Sequence, residues 1–178
     1  MPAPRLEYRT ALELRADGRT LYGLAAPYGQ PAQIGSFRET IARTAFARTL
    51  RDGADVALLR DHDQRALLAR TSNKSLTLED ATDGLHFRAT LAEFTLADDT
   101  LAQVRAGLLA GMSIGFYVRG ETWNAQHDQR TLDDIELVEV SAVSLAAAYP
   151  QTTIAARAKQ TSSHGTMKSR LHLRLAGL

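Results

Sequence analysis

The chain has 178 residues, a formal net charge of +1, 44% apolar and 23% charged residues, and no cysteine. That composition suits one globular domain plus a tail, and it excludes disulfides, thiolate metal sites and cysteine nucleophiles. No apolar run reaches membrane-span length and Met1-Pro2-Ala3-Pro4-Arg5 lacks the apolar segment of a signal peptide, so a cytoplasmic protein without a membrane partner is expected.

In chain order, Leu6 to Leu14 alternates loosely and reads as a strand, Asp17-Gly18 as a turn, and Thr20 to Ala26 as the second arm of a hairpin. After the break at Pro27-Tyr28-Gly29-Gln30-Pro31, Phe37-Arg38-Glu39-Thr40 leads into an expected helix. Its stripe is Ile41, Ala45, Phe46, Thr49 and Leu50, and Gly53 closes it. Val56 to Leu59 is a short buried strand that runs into Arg60-Asp61-His62-Asp63. Leu67 to Arg70 and Ser75 to Glu79 read as further strands, and Asp83-Gly84 is a hairpin signal.

Ala97 to Leu109 has a helical stripe of Leu101, Val104 and Leu108, with Asp98 and Asp99 near its start and Gly111 near its end. A strand then runs to about Trp123, Asn124 to Arg130 forms a polar loop, and Leu132 to Val143 returns. Many strands in hairpins with two inserted helices argue for an α+β fold, a mostly antiparallel sheet or small barrel.

Charge divides the chain. No acid follows Glu139, and Arg157, Lys159, Lys168, Arg170 and Arg174 give +5, leaving −4 on residues 1–156. Apolar periodicity stops near Pro150, and Thr161 to Gly165 has linker composition. The expected division is a folded domain over 1–150 and a flexible basic tail over 151–178.

The chemistry centres on Gly111-Met112-Ser113-Ile114-Gly115-Phe116-Tyr117-Val118. Met112, Ile114, Phe116 and Val118 alternate and point into one core, so Ser113 lies on the other face, with Gly115 leaving space beside it. A fixed, accessible hydroxyl is what a nucleophile needs, but serine also needs a base, and the base an orienting partner. His62, just past a buried strand, is the best-placed base; His86, His127, His164 and His172 lie in weaker settings. On the returning strand Val138, Val140 and Ala142 share one face, and Glu139 shares the other with Leu137 and Ser141. A carboxylate in so apolar a strand calls for a partner, and an imidazole N–H would serve. Glu136, Asp61 and Asp63 remain as alternatives, the two aspartates being close in sequence to the ring they would have to orient.

Asp61, His62 and Asp63 with His127 and Asp128 would be the donors of a metal site, but no ligand spacing such as HExxH is present, and no metal or cofactor is expected. Phosphate-binding glycine loops and nucleic-acid motifs are absent.

These pieces in this order resemble the prohead (capsid maturation) serine proteases of tailed bacteriophages. The resemblance runs from about Leu21 to Pro150. It rests on Gly23-Leu24-Ala25-Ala26-Pro27-Tyr28-Gly29, Phe37-Arg38-Glu39 with Ala45-Phe46, Leu59-Arg60-Asp61-His62-Asp63, Asp83-Gly84-Leu85, Gly107, Gly111-Met112-Ser113-Ile114-Gly115-Phe116, and Leu137-Val138-Glu139-Val140-Ser141. It implies a closed β-barrel ringed by helices, similar to the herpesvirus assemblins, with His62 as base and Ser113 as nucleophile. Glu139 falls where assemblins carry their third, orienting histidine.

Two departures stand out. Asp61 replaces the asparagine frequent before the His-Asp pair, and Ser144 to Pro150 lacks the paired arginines that support the assemblin oxyanion. The resemblance further implies work in the host cytoplasm inside the immature capsid. Its partners there would be the major capsid protein and its scaffold segment, with self-association and self-cleavage between about Pro150 and Gly165. A non-enzymatic capsid assembly protein with the same fold, and a metal-dependent hydrolase, are the competing readings.

Overall fold

The computed structural model describes residues 5–11 and 13–144; the tail, with His164, His172 and the expected cleavage window, lies outside them. Eleven strands and two helices are described. They are β1 (Leu6–Ala11), β2 (Glu13–Asp17), β3 (Thr20–Pro27), β4 (Ala32–Ile34), β5 (Phe37–Ile41), α1 (Ala47–Arg51), β6 (Ala57–Arg60), β7 (Asp63–Arg70), β8 (Leu76–Asp80), β9 (Gly84–Thr90), α2 (Thr95–Arg105), β10 (Gly111–Trp123) and β11 (Gln129–Val143).

The fold is more β-rich than the expected α+β class, and its ladders do not close into a barrel. One sheet runs β1-β10-β11-β5-β4, with β6 also on β11 and β7 on β6; a second runs β2-β3-β9-β8. The expected opening strand is two strands, one in each sheet. The second hairpin is as expected, with Leu85, Phe87 and Ala89 of β9 buried beside Leu21 of β3. Among the described residues no helix is long and apolar enough to cross a membrane.

The expected helix from Ile41 forms only in its second half: Ile41 ends β5, residues 42–46 make a turn, and the helix begins at Ala47. Phe37–Ile41 pairs in parallel with Gln129–Leu132 of β11, and α1 keeps only five residues. Those five have a specific task. β11 pairs with β5 at one end and with β6 at the other, over Glu139–Ala142, which leaves its middle edge unpaired. The α1 region supplies the missing partners: the Ile135 N–H donates to the Ala45 carbonyl at 3.0 Å, Thr49 Oγ1 donates to the Ile135 carbonyl at 3.0 Å, and the Leu137 N–H donates back to Thr49 Oγ1 at 3.1 Å. Unmet backbone groups in so buried a strand would be costly, so this contact helps fix the register of β11.

The core lies between the sheets. Met112, Ile114 and Phe116 are fully buried together with Val140, Ala142, Leu58, Leu21 and Leu85. Each such large side chain contributes roughly 2 kcal/mol by burial. The alternation of β10 therefore holds as expected over its first half. That of β11 does not, because a register shift between Gly115 and Phe116 brings Leu137 opposite Phe116 and skips Val138. Leu137, expected on the face of Glu139, is in the core, while Val138, expected in the core, is only partly buried. A β-bulge reverses the face of every residue before it while leaving those after it unchanged.

Candidate active site

The three residues singled out from sequence come together on one face of the larger sheet. Ser113 on β10 lies opposite Thr10 of β1 and Ser141 of β11. One row along, Gly115 lies between Tyr8 and Glu139. His62 reaches this face from the β6–β7 turn.

That turn is tight. Arg60 pairs with Asp63, so Asp61 and His62 form a two-residue loop, both with left-handed backbone at φ 52° and 61°. Asp, Asn and His tolerate this conformation better than most residues, which accounts for the residue types found here. Asp61 also pins the loop to the end of β11. Its N–H donates to the Ala142 carbonyl at 2.9 Å, and its carboxylate accepts from the Ser144 N–H at 2.7 Å and the Ser144 hydroxyl at 2.8 Å.

From this position the imidazole turns back along β11, past the row of Ser141, to the row of Glu139. Nδ1 of His62 is hydrogen-bonded to Glu139 Oε1. Glu139 is 4% exposed, and Ser141 Oγ donates to the same oxygen at 3.3 Å. Nδ1 being engaged, Nε2 is the ring nitrogen free to serve a nucleophile. The ring also packs on Tyr8, with centroids 4.2 Å apart. Burial first, then the charge of Glu139 and the neighbouring Tyr117, holds the Tyr8 phenol above its ordinary pKa, so Tyr8 presents a neutral ring.

Ser113 is 1% exposed, and its Oγ has no hydrogen-bond partner among the described residues. Ser113 and His62 therefore share no hydrogen bond in the free chain. Nor is the space beside Ser113 open. A Cβ on Gly115 would lie 2.7 Å from Glu139 Cγ, 3.0 Å from Glu139 Oε1 and 3.0 Å from Tyr8 Cε1. The glycine makes room for the carboxylate and the tyrosine ring.

The alternative carboxylates are engaged elsewhere. Asp61 holds Ser144, Asp63 is bound by Arg65, and Glu136 takes Arg119 on the surface. The residues proposed as metal donors do not converge: His127 packs on Trp123, Asp128 accepts from Asn124 at 2.7 Å, and no group of three or more His, Cys, Asp or Glu suited to a metal occurs among the described residues.

Sequence reasoning missed Tyr8 and Ser141. Ser141 was legible as the neighbour of Glu139 on one strand face. Nothing local marks Tyr8, whose role comes from a strand pairing across more than a hundred residues.

A family model described as Caudovirus prohead serine protease matches residues 6–167. Among solved structures, the chain is similar to the bacteriophage T4 capsid assembly protease at 15% identity and a TM-score of 0.52, over 79% of this chain and 98% of that one. No curated protein matches it.

Proposed function

The chain belongs to the Caudovirus prohead serine protease family, and we propose that it is the serine endopeptidase that cleaves scaffold and capsid segments, and itself, inside the immature capsid. The observation that carries this reading is a buried serine hydroxyl, without a partner among the described residues, on the same sheet face as a histidine held by a buried carboxylate. Buried hydroxyls are normally satisfied, and an unsatisfied one beside a His–Glu pair fits a nucleophile awaiting substrate.

In the proposed reaction Ser113 Oγ attacks the scissile carbonyl carbon while His62 Nε2 takes the hydroxyl proton. Glu139 keeps Nδ1 as the protonated nitrogen and stabilises the imidazolium. His62 then gives its proton to the leaving amine, and a water deprotonated by His62 releases the acyl group from Ser113. Because Oγ is covered in the free chain, substrate binding has to shift a side chain over it, consistent with catalytic hydrogen bonds that tighten only in the complex.

The test is intact-mass measurement after co-expression with the capsid protein and its scaffold segment, wild type beside Ser113→Ala. The expected result is cut scaffold and a wild-type chain shortened between about Pro150 and Gly165, both absent in the variant. Uncut scaffold with wild type would favour the non-enzymatic assembly protein. Equal loss of the tail in both would assign trimming to a host protease.

A further inference from the structure

We propose that Tyr8 is a positioning residue for His62, so that the N-terminal strand β1 completes the catalytic geometry. This rests on the reading of His62 as the base.

A single hydrogen bond does not fix an imidazole. With Nδ1 tied to Glu139, the ring still swings about that contact, and the swing decides where Nε2 points. Reaction requires Nε2 to come within hydrogen-bond reach of Ser113 Oγ when substrate is bound, and misplacement of about 1 Å is expensive. In the turn that carries His62, Asp61 and Asp63 are both engaged by other partners. The imidazole packs against the ring of Tyr8, at 4.2 Å between centroids with the planes inclined by 58°.

Tyr8 is itself well placed to act as a fixed wall. It lies in the middle of β1, paired to Gly115, and its neighbour Arg9 is anchored on the other face of the strand by Glu7 and the buried Glu39. The missing side chain at Gly115 lets the Tyr8 ring come close to the Glu139 carboxylate. Tyr8 is 42% exposed, unusual for a large ring in so crowded a place, and its hydroxyl has no hydrogen bond among the described residues. The contact that matters is the tilted packing of the two rings, not a hydrogen bond from the hydroxyl.

The experiment uses the full-length chain and a serine-directed phosphonate, with Tyr8→Phe, Tyr8→Leu and Tyr8→Ala beside wild type. Labelling at Ser113 is followed as a function of probe concentration, together with the thermal midpoint of each variant. Tyr8→Leu keeps an apolar strand residue and serves if Tyr8→Ala does not fold. The expected result is a maximal labelling rate lowered on the order of 3- to 10-fold in Tyr8→Leu and Tyr8→Ala. Half-saturating probe and thermal midpoint stay close to wild type, and Tyr8→Phe restores the rate.

Unchanged labelling in Tyr8→Leu, or a Tyr8→Phe as slow as Tyr8→Leu, overturns the proposal. Faster labelling in Tyr8→Leu also overturns it, since Tyr8 would then be a cover over Ser113. In all three cases wild type still labels at Ser113 and the proposed triad stands. A wild type that never labels there removes the triad, and the role of Tyr8 with it.

Discussion

Two buried carboxylates on neighbouring strands of one sheet have opposite surroundings. Glu39, 2% exposed on β5, is saturated: Arg9 and Arg130 both bind it, Arg9 Nη2 at 2.7 Å and Arg130 Nη1 at 3.0 Å, and Glu7 and Glu121 neutralise the two arginines further. Glu139, 4% exposed, has one imidazole and one serine hydroxyl, and an unpartnered hydroxyl lies a strand away. The first arrangement leaves nothing for a ligand to do and ties β1, β5, β10 and β11 together. The second leaves capacity unused in a place where burial makes it costly, as the proposed active site requires.

Variants should separate the two clusters. The largest effect is expected from Ser113→Ala, with turnover lowered on the order of a million-fold and no loss of fold. Glu139→Gln should be milder, on the order of ten-thousand-fold, because nucleophile and base remain while the ring loses its orienting charge. Single-turnover peptide cleavage measures both. Gly115→Ala comes next: the added methyl must push the Glu139 side chain or the Tyr8 ring aside, and cleavage should fall at least about tenfold, as small misplacements of a catalytic group do. Wild-type activity in Gly115→Ala would show that the carboxylate position is not critical.

Glu39→Gln should invert this pattern. Removing the charge takes from Arg9 and Arg130 their shared buried partner and leaves them Glu7 and Glu121, costing roughly 2 kcal/mol in urea unfolding, while cleavage by the folded fraction stays normal. The smallest effect concerns Glu7. Burial pushes its carboxyl up, but hydrogen bonds and charge from Arg130 and Arg9 outweigh that and hold it below its ordinary value of 4.5. A lowered folded-state pKa contributes stability above the unfolded value that is lost as pH falls through the folded one. The thermal midpoint should therefore drop on acidification below about pH 4.5, and Glu7→Gln should remove part of that drop, about 1 kcal/mol or less. An identical acid profile in Glu7→Gln would discount the linkage.

How much of this was legible in the sequence follows from how far each feature reaches. The extent of β10, the hairpin at Asp83-Gly84 and the pairing of His62 with Glu139 follow from local alternation and from the cost of an unpaired carboxylate in an apolar strand. Ile41 reads as the first residue of a helical stripe because the decisive fact, the parallel pairing of Arg38–Ile41 with Gln129–Leu132, lies some ninety residues away. The bulge at Val138 shows in the sequence only as the adjacent apolar pair Leu137-Val138, which does not say which of the two faces the core, and the alternation of Val138, Val140 and Ala142 points to the wrong one. Both expected helices form, α1 shortened to Ala47–Arg51 and α2 over Thr95–Arg105, but the strands do not close into the expected barrel, since β11 finds partners on both its edges that no local pattern shows.

The most direct test of the account is phosphonate labelling of the full-length protein, with the modified residue located by peptide mass spectrometry. The account predicts one labelled residue, Ser113. The label should be lost in His62→Ala, strongly slowed in Glu139→Gln and retained at the wild-type rate in Glu39→Gln. A label on Ser141, or a Ser113 label indifferent to His62→Ala, would contradict it.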